Sequence, residues 1–286
     1  MSEIAVQAPT TAVKRASQSK VVQRGHTLLS VLTYAFLYLP IIILVLFSFT
    51  PDPFGARMTG FTLTWYEQLF RDKRLIGATM NTLQVAFIST LASTIIGTMT
   101  ALAMERYRFR GRTSFDAMLY LPIVVPEIVI ALSLLAFFAF SFDLIERLTG
   151  ASLANGIVTV IISHIAFSIS FVVIVVRASL KGFDRRLEEA AQDLGANEWQ
   201  TFWRITFPII LPGIIGGALM AFTISLDDFI ISFFTTGPGL SLLPVEVYAQ
   251  VKRAVTPKIN AISTLMLLAS MTLVILSQLV QRRTNH

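Results

Sequence analysis

Six long apolar segments, almost free of charge, constrain the fold of this chain more than any other feature of its sequence. Each segment approaches or exceeds the roughly 20 residues that a helix needs to cross a bilayer. Because the hydrocarbon layer offers no water to backbone N–H and C=O groups, long continuous runs of this kind are typical of helices. We therefore predict an all-α polytopic membrane protein. Its six spans cover about 26–49, 79–103, 115–141, 154–176, 205–234 and 260–280.

The composition favours the same class and excludes several others. Of the 286 residues, 54% are hydrophobic and only 14% are charged, whereas soluble domains have about 25% charged residues. The chain contains no cysteine, which excludes disulfides, thiolate metal sites and cysteine catalysis. We predict neither a catalytic site nor a metal site. The net charge of +6 reflects membrane topology and does not indicate nucleic-acid binding.

Lysine and arginine are distributed unequally between the two sides of the predicted bundle. The side that holds both chain ends has fifteen of them, and the other side has eight. Cytoplasmic loops carry the excess of these residues, so we predict that both termini are cytoplasmic. Residues 1–25 are predicted to form a disordered cytoplasmic tail, 26–281 the six-helix membrane domain, and 282–286 a second cytoplasmic tail.

The stretch 177–204 is the longest polar interruption between two spans, and the charge count places it in the cytoplasm. Its apolar positions follow the i, i+3, i+4, i+7 spacing of one helix face: Leu187, Ala190, Ala191 and Leu194. Gly195 is a natural helix stop, and Asn197 can cap a second short helix over 198–204. We predict a helix–turn–helix with a small alanine patch that another protein can approach closely.

This loop resembles the EAA loop of binding-protein-dependent ABC importer permeases. The matching residues, at the family's spacing, are Glu189-Ala190-Ala191, Gly195, Ile205 and Phe207-Pro208. Phe207 is a departure, since the family usually has leucine before the final proline. The resemblance implies the type I ABC importer permease fold, residence in the bacterial plasma (inner) membrane, and a coupling helix that sits in a groove on a cytoplasmic ATPase. The ATPase-coupling residues that it implies are Glu188, Glu189, Ala190, Ala191, Asp193, Leu194 and Gly195.

The chain has no nucleotide-binding motif of its own. A G-x-x-x-x-G-K-[ST] run is absent, so ATP has to be hydrolysed by a partner. We expect no cofactor in this chain, with ATP and Mg bound by a partner ATPase dimer. The resemblance further implies a second homologous permease chain and an extracytoplasmic substrate-binding protein.

Other segments resemble the permeases of spermidine/putrescine importers, specifically the second of their two permease chains. They are 121–128, 225–229, and 236–239 with Leu243-Pro244 and Tyr248. The similarity covers about 26–281, and it implies import of polyamines by alternating access. Three alternatives remain. The first is an ABC import permease for another small solute, such as an amine, an opine, an amino-acid derivative or ferric iron. The others are a secondary transporter or channel, and a non-transporting scaffold.

Three acidic residues fall within the predicted spans: Glu127, Asp227 and Asp228. An acid in lipid costs roughly 2.5–3.5 kcal/mol on insertion scales, so it usually faces a cavity or a partner. At about 1.5 Å per residue, Asp227 lies in the outer half of the membrane and Glu127 near mid-depth. Adjacent helical residues point about 100° apart, so Asp227 and Asp228 should not serve one cavity equally. We favour Asp227 and Glu127 for a cation pathway. Alternatively, the acids pair with neighbouring helices or with the partner permease.

His164 lies in the middle of the fourth predicted span, near Ser163 and Ser168. No second histidine is close in the sequence, which argues against a metal site. We predict a packed, hydrogen-bonded histidine rather than a proton relay.

Overall fold

The structure is a computed structural model that describes residues 15–282. All regular secondary structure in these residues is helical. The helices are α1 (Arg15–Phe47), α2 (Thr64–Leu69), α3 (Lys73–Arg106), α4 (Arg112–Val124), α5 (Glu127–Thr149), α6 (Ile157–Lys181), α7 (Arg186–Asp193), α8 (Glu198–Thr201), α9 (Phe207–Asp227), α10 (Ile230–Thr235), α11 (Leu243–Val251) and α12 (Pro257–Arg282). A π-helical turn, Phe202–Thr206, joins α8 to α9.

Six helices of the described part are long and apolar enough to cross a membrane, which confirms the predicted number of spans. They are Gly25–Phe47, Lys73–Arg106, Glu127–Thr149, Ile157–Lys181, Glu198–Asp227 and Pro257–Leu279.

The first helix begins earlier than the sequence predicts. Helix α1 starts at Arg15, within the stretch 1–25 that the sequence assigns to a disordered tail. Extending an existing helix adds one hydrogen bond for each residue that is ordered, so the apolar segment can carry helix into its polar flank. The rest of that predicted tail, and residues 283–286 of the predicted C-terminal tail, lie outside the described residues.

The third predicted span is interrupted rather than kinked. Helix α4 ends at Val124, Val125 is extended with φ −76° and ψ 134°, and α5 begins at Glu127 after Pro126. Proline disfavours the α conformation in the residue before it, which explains why the helix stops at Val125. Pro122 stays inside α4, so only one of the two prolines breaks the span.

The fifth predicted span, 205–234, is also divided. Helix α9 ends at Asp227, and Asp228 leaves the helical conformation with φ −65° and ψ 117°. The short helix α10 then continues from Ile230. An acidic residue lies at each interruption: Glu127, partly buried, begins α5, and Asp228, buried, follows α9.

Helices α3, α6 and α9 pack against one another, and α12 packs along α9. Their shared core contains Ala101, Val172, Val173, Val176, Ile210 and Ala221, all fully buried. Small residues bring the helices close together, as is usual in membrane bundles. A Cβ atom on Gly97 would lie 2.8 Å from the Val172 Cβ atom, and one on Gly213 would lie 2.7 Å from the Ser179 Cβ atom.

The bundle has two distinct ends. The α7 face carries α7, α8 and the C-terminal ends of α3 and α6, where Arg185 donates to the Glu105 carbonyl at 2.8 Å. The α11 face carries α2, α11 and the N-terminal ends of α3 and α12. There the Leu243 N–H donates to the Thr82 hydroxyl at 2.8 Å.

The predicted helix–turn–helix of the polar loop is confirmed. Helix α7 covers Arg186–Asp193, Gly195 adopts a left-handed φ of +88°, and α8 begins at Glu198. The Asn197 side chain accepts from the Gln200 N–H at 2.8 Å, which is the predicted cap.

Candidate functional site

Asp228 occupies the break between α9 and α10 and caps the second helix. Its carboxylate accepts hydrogen bonds from the N–H groups of Ile231 at 3.2 Å and Ser232 at 2.8 Å. Carboxylates are favoured at this position because they satisfy free N–H groups at a helix start. Asp228 is buried, with only 3% of its side chain exposed. The break therefore fixes an acidic group inside the membrane bundle.

His164 holds this acid from the neighbouring helix α6. Its Nε2 atom lies 3.1 Å from Asp228 Oδ2 and 3.1 Å from the Ser232 hydroxyl, and its Nδ1 atom lies 2.6 Å from the Ser225 hydroxyl. The Ser225 hydroxyl oxygen lies in turn 3.1 Å from the Ser89 hydroxyl oxygen on α3, which extends the hydrogen-bond network. The prediction of a packed, hydrogen-bonded histidine is confirmed, although its partners differ from the nearby serines of its own helix.

A carboxylate accepts hydrogen bonds and cannot donate them. The Nε2 atom of His164 is therefore the donor toward Asp228, and in the neutral ring the Nδ1 atom accepts from Ser225. Groups from α3, α6, α9 and α10 are thus joined in one buried polar network. Such a network is costly when incomplete and rigid when satisfied.

Glu127, the first residue of α5, completes the arrangement. Its carboxyl group lies within hydrogen-bonding reach of the Asp228 carboxyl group. Two interruptions far apart in the sequence, at Pro126 and at Asp228, therefore bring two acids together. Within the described residues, neither acid forms an ion pair with lysine or arginine. We call Glu127, Asp228 and His164 the acid cluster.

Asp227 faces away from the acid cluster. Its Oδ2 atom accepts a hydrogen bond from the Ser270 hydroxyl of α12 at 2.7 Å, and its side chain is exposed in this chain. The expected separation of the two aspartates is confirmed. Asp228, not Asp227, lies beside Glu127, because the chain leaves helical geometry at Asp228 and turns that residue toward α5. The preference for Asp227 and Glu127 in a cation pathway stays a prediction.

Aromatic rings line the side of the break that faces α11. The Phe229 ring lies 4.4 Å from the Tyr248 ring and 5.5 Å from the Phe233 ring, measured between centroids. The Lys252 ammonium group lies 4.9 Å from the centre of the Tyr248 ring. Such a face attracts ammonium groups. Phe233, Ser89 and Ser232 were not predicted from the sequence, because only the packing of the helices brings them to this site.

The predicted coupling residues divide between two sides of α7. Glu189, Ala190, Asp193, Leu194 and Gly195 are exposed, whereas Glu188 and Ala191 are partly buried. Leu194 is 90% exposed. Trp199 of α8 is 70% exposed nearby. The exposed residues of this region form an outward surface, which we call the docking surface: Glu189, Ala190, Asp193, Leu194, Gly195 and Trp199.

Residues 93–286 match the family model for the "Binding-protein-dependent transport system inner membrane component". This range includes the docking surface and the acid cluster and covers more than half of the chain. The chain therefore belongs to this family of inner-membrane transport permeases.

Curated relatives extend the match. The spermidine/putrescine transport system permease protein PotC of Haemophilus influenzae is 42% identical over 253 residues, which is 88% of this chain and 95% of the relative. The putrescine transport system permease protein PotI of Escherichia coli K12 is 38% identical over 237 residues, covering 82% of this chain and 83% of the relative.

A solved structure shares the fold. It is a bacterial ABC transporter involved in import of the acidic polysaccharide alginate, and one of its chains aligns with a TM-score of 0.73 at 20% identity. The alignment covers 95% of this chain and 98% of that chain. The six-span arrangement is therefore the fold of an ABC importer permease, as the sequence resemblance implies.

Proposed function

We propose that this chain is the pore-forming permease subunit of an ATP-driven importer that carries polyamines into the cytoplasm by alternating access. The acid cluster carries the proposal, because Glu127 and Asp228 meet inside a membrane bundle with no lysine or arginine partner among the described residues. The names of relatives that are 42% and 38% identical support a polyamine as cargo.

The chemistry of the acid cluster suits a polycation. Two carboxyl groups that lie against each other repel when both are ionised. An ammonium group between Glu127 and Asp228 would relieve that repulsion and pair with both. The rings of Phe229 and Tyr248, 4.4 Å apart, offer an apolar surface to the methylene chain of the cargo. Asp227 would add a negative charge on the α12 side of the break, outside the acid cluster.

The energy source is proposed to act on the α7 face. The excess of lysine and arginine on that side supports a cytoplasmic orientation, with both termini inside. An ATPase dimer that holds ATP and Mg would bind the docking surface, where Glu189 and Leu194 are exposed. A second permease chain would complete the pore, and an extracytoplasmic binding protein would deliver the cargo to the α11 face.

The two helix breaks suit a protein that alternates between two states. Helix α5, which starts after Pro126, packs against α10, which starts after Asp228. Because the chain is broken just before each of these helices, at the level of the acid cluster, α5 and α10 can tilt together without bending a continuous helix. Such a movement would turn the acid cluster first toward the α11 face and then toward the α7 face.

Spermidine uptake by the assembled transporter in proteoliposomes tests the proposal. We expect Asp228→Asn to raise the spermidine concentration for half-maximal uptake by about tenfold or more, because truncating one partner of a buried charge pair costs about 2 kcal/mol or more. The matched control is Asp143→Asn, which removes a carboxylate from the exposed end of α5, where Asp143 pairs with Arg147 at 2.9 Å.

Equal uptake by wild type and Asp228→Asn at low spermidine would exclude the pathway role of the acid cluster. Ligand screening of the binding protein tests the cargo separately. Binding of spermidine or putrescine supports the proposal, and preference for an amino-acid derivative or ferric iron contradicts it.

A further inference from the structure

Glu188 differs from the other carboxylates of α7 in its direction. Its side chain is only 17% exposed, whereas Glu189 and Asp193 lie on the outer side. Glu188 points toward the membrane helices and away from the docking surface. It is therefore poorly placed to contact a docked ATPase, although the family resemblance groups it with the coupling residues.

Two groups from different membrane helices meet the Glu188 carboxylate. The Arg106 guanidinium group, at the last residue of α3, forms an ion pair with the Glu188 Oε1 atom. The Thr206 hydroxyl donates to the same oxygen atom, and Arg106 Nη2 lies 3.4 Å from the Thr206 hydroxyl oxygen. One carboxylate oxygen thus joins α7 to the ends of α3 and α9. We call these three residues the latch.

The position of Thr206 depends on the π-helical turn before α9. Thr206 is the last residue of that turn and is fully buried. A π-helical turn widens the helix by one residue, and such turns occur mostly at functional positions. A polar cavity of about 200 Å³ lies beside the latch, with Lys181 and Phe183 in its lining. Close packing therefore does not fill the space around these polar contacts.

The helices that meet at the latch also meet at the acid cluster. Ser89 of α3 and Ser225 of α9 are joined at 3.1 Å, and Ser225 is bonded to His164. At about 1.5 Å per residue, Ser89 lies roughly 25 Å along α3 from Arg106, and Ser225 lies roughly 28 Å along α9 from Thr206. Two packed helices therefore connect one site to the other.

We infer that Arg106, Glu188 and Thr206 are positioning residues that transmit movement of α7 to α3 and α9. The inference rests on the proposed docking of an ATPase at α7. The docking surface receives the ATPase, and the latch on the opposite side of the same helix passes the displacement to the membrane. Docking and transmission are therefore separable by mutation, because Glu189 serves the first and Glu188 serves the second.

The test uses the complete transporter in proteoliposomes with spermidine as the probe. Three quantities are measured: ATPase that co-purifies with the permease, stimulation of ATP hydrolysis by the spermidine-loaded binding protein, and spermidine taken up for each ATP hydrolysed. We expect Glu188→Gln to retain wild-type co-purification and to lower stimulation and uptake per ATP by about tenfold, within the usual range of coupling between sites.

The matched control is Arg108→Gln, which removes an exposed positive charge two residues after Arg106, in the turn that follows α3. It should leave all three quantities unchanged. The double exchange Arg106→Glu with Glu188→Arg restores an ion pair of opposite polarity, so it should recover most of the stimulation that Arg106→Glu loses alone. A purely structural contact would lower co-purification and uptake in proportion and would not change uptake per ATP.

Wild-type stimulation in Glu188→Gln, or failure of the double exchange to recover it, would overturn the latch. Failure of the wild-type chain to co-purify with an ATPase would instead refute the proposed docking. If the wild type couples to an ATPase but takes up no spermidine, the cargo is wrong. In that case, stimulation of ATP hydrolysis is measured with the binding protein loaded with the ligand that it does bind. The latch is then tested by comparing Glu188→Gln with the wild type in that assay.

Discussion

The acid cluster and the latch both hold carboxylates that are buried or partly buried, but their surroundings are opposite. At the latch, the Glu188 carboxylate is neutralised by Arg106. In the acid cluster, Glu127 and Asp228 lie against each other, and within the described residues their ion-pair contacts include the His164 ring but no lysine or arginine. A carboxylate with its own guanidinium group is suited to holding helices together. A pair of carboxylates without one remains available to a cation that passes through.

A lysine introduced into the acid cluster should neutralise it as Arg106 neutralises Glu188 at the latch. We expect Glu127→Lys to reduce spermidine uptake by about a hundredfold or more, because a tethered ammonium group beside Asp228 would occupy the position of the cargo at close range. Glu127→Gln, which removes the charge without adding one, should cost only about tenfold. Uptake in proteoliposomes measures both variants, and equal uptake by the two would show that the cluster does not bind a cation.

Removing the histidine should affect binding more than the rate of transport. We expect His164→Ala to raise the half-saturating spermidine concentration by about tenfold, because Asp228 and Ser225 lose a buried partner worth about 1–3 kcal/mol. His164→Asn, whose amide can still donate toward Asp228, should recover part of the loss. Loss of maximal uptake at unchanged half-saturation in both variants would contradict a positioning role.

An ion pair at the α11 face gives the smallest expected effect. Lys258 Nζ lies 2.6 Å from Asp72 Oδ2. Its ammonium group, helped by the N–H groups of Leu75 and Arg74, holds the pKa of Asp72 below the ordinary value of 3.8 despite partial burial. A lowered folded-state pKa stabilises the fold above the ordinary value, and the contribution is lost as pH falls through the folded-state value.

We therefore expect Lys258→Met to destabilise the protein by less than about 1 kcal/mol at pH 7. The difference from wild type should disappear below the lowered pKa of Asp72. Thermal unfolding in detergent at neutral and acidic pH measures it. A difference that grows on acidification would show that the pair does not act through the charge of Asp72.

The number of spans and the outline of the α7 face could be predicted because they depend on local properties. Apolar length identifies a membrane helix, and Gly195 and Asn197 mark a helix end and a helix start. The acid cluster could not be predicted in the same way. Whether Asp227 or Asp228 faces Glu127 depends on where α9 leaves helical geometry, and contacts with α6 and α10 decide that.

The apolar face that the sequence predicts for α7 points outward rather than toward the membrane helices. Leu187 and Leu194 lie on the predicted apolar face, yet they are 47% and 90% exposed. The side toward the membrane instead carries Glu188. Apolar periodicity indicates which residues seek burial, but it does not distinguish the interior of this chain from a partner protein.

The glycine contacts described above determine how this bundle can move. At Gly97 and Gly213, α3 and α9 each approach α6 more closely than any side chain would permit. Helices that interlock at this distance cannot slide past one another without collision, so shear within the trio is blocked. We expect α3, α6 and α9 to move as one rigid body, so that a displacement at the α7 face is transmitted to the α11 face.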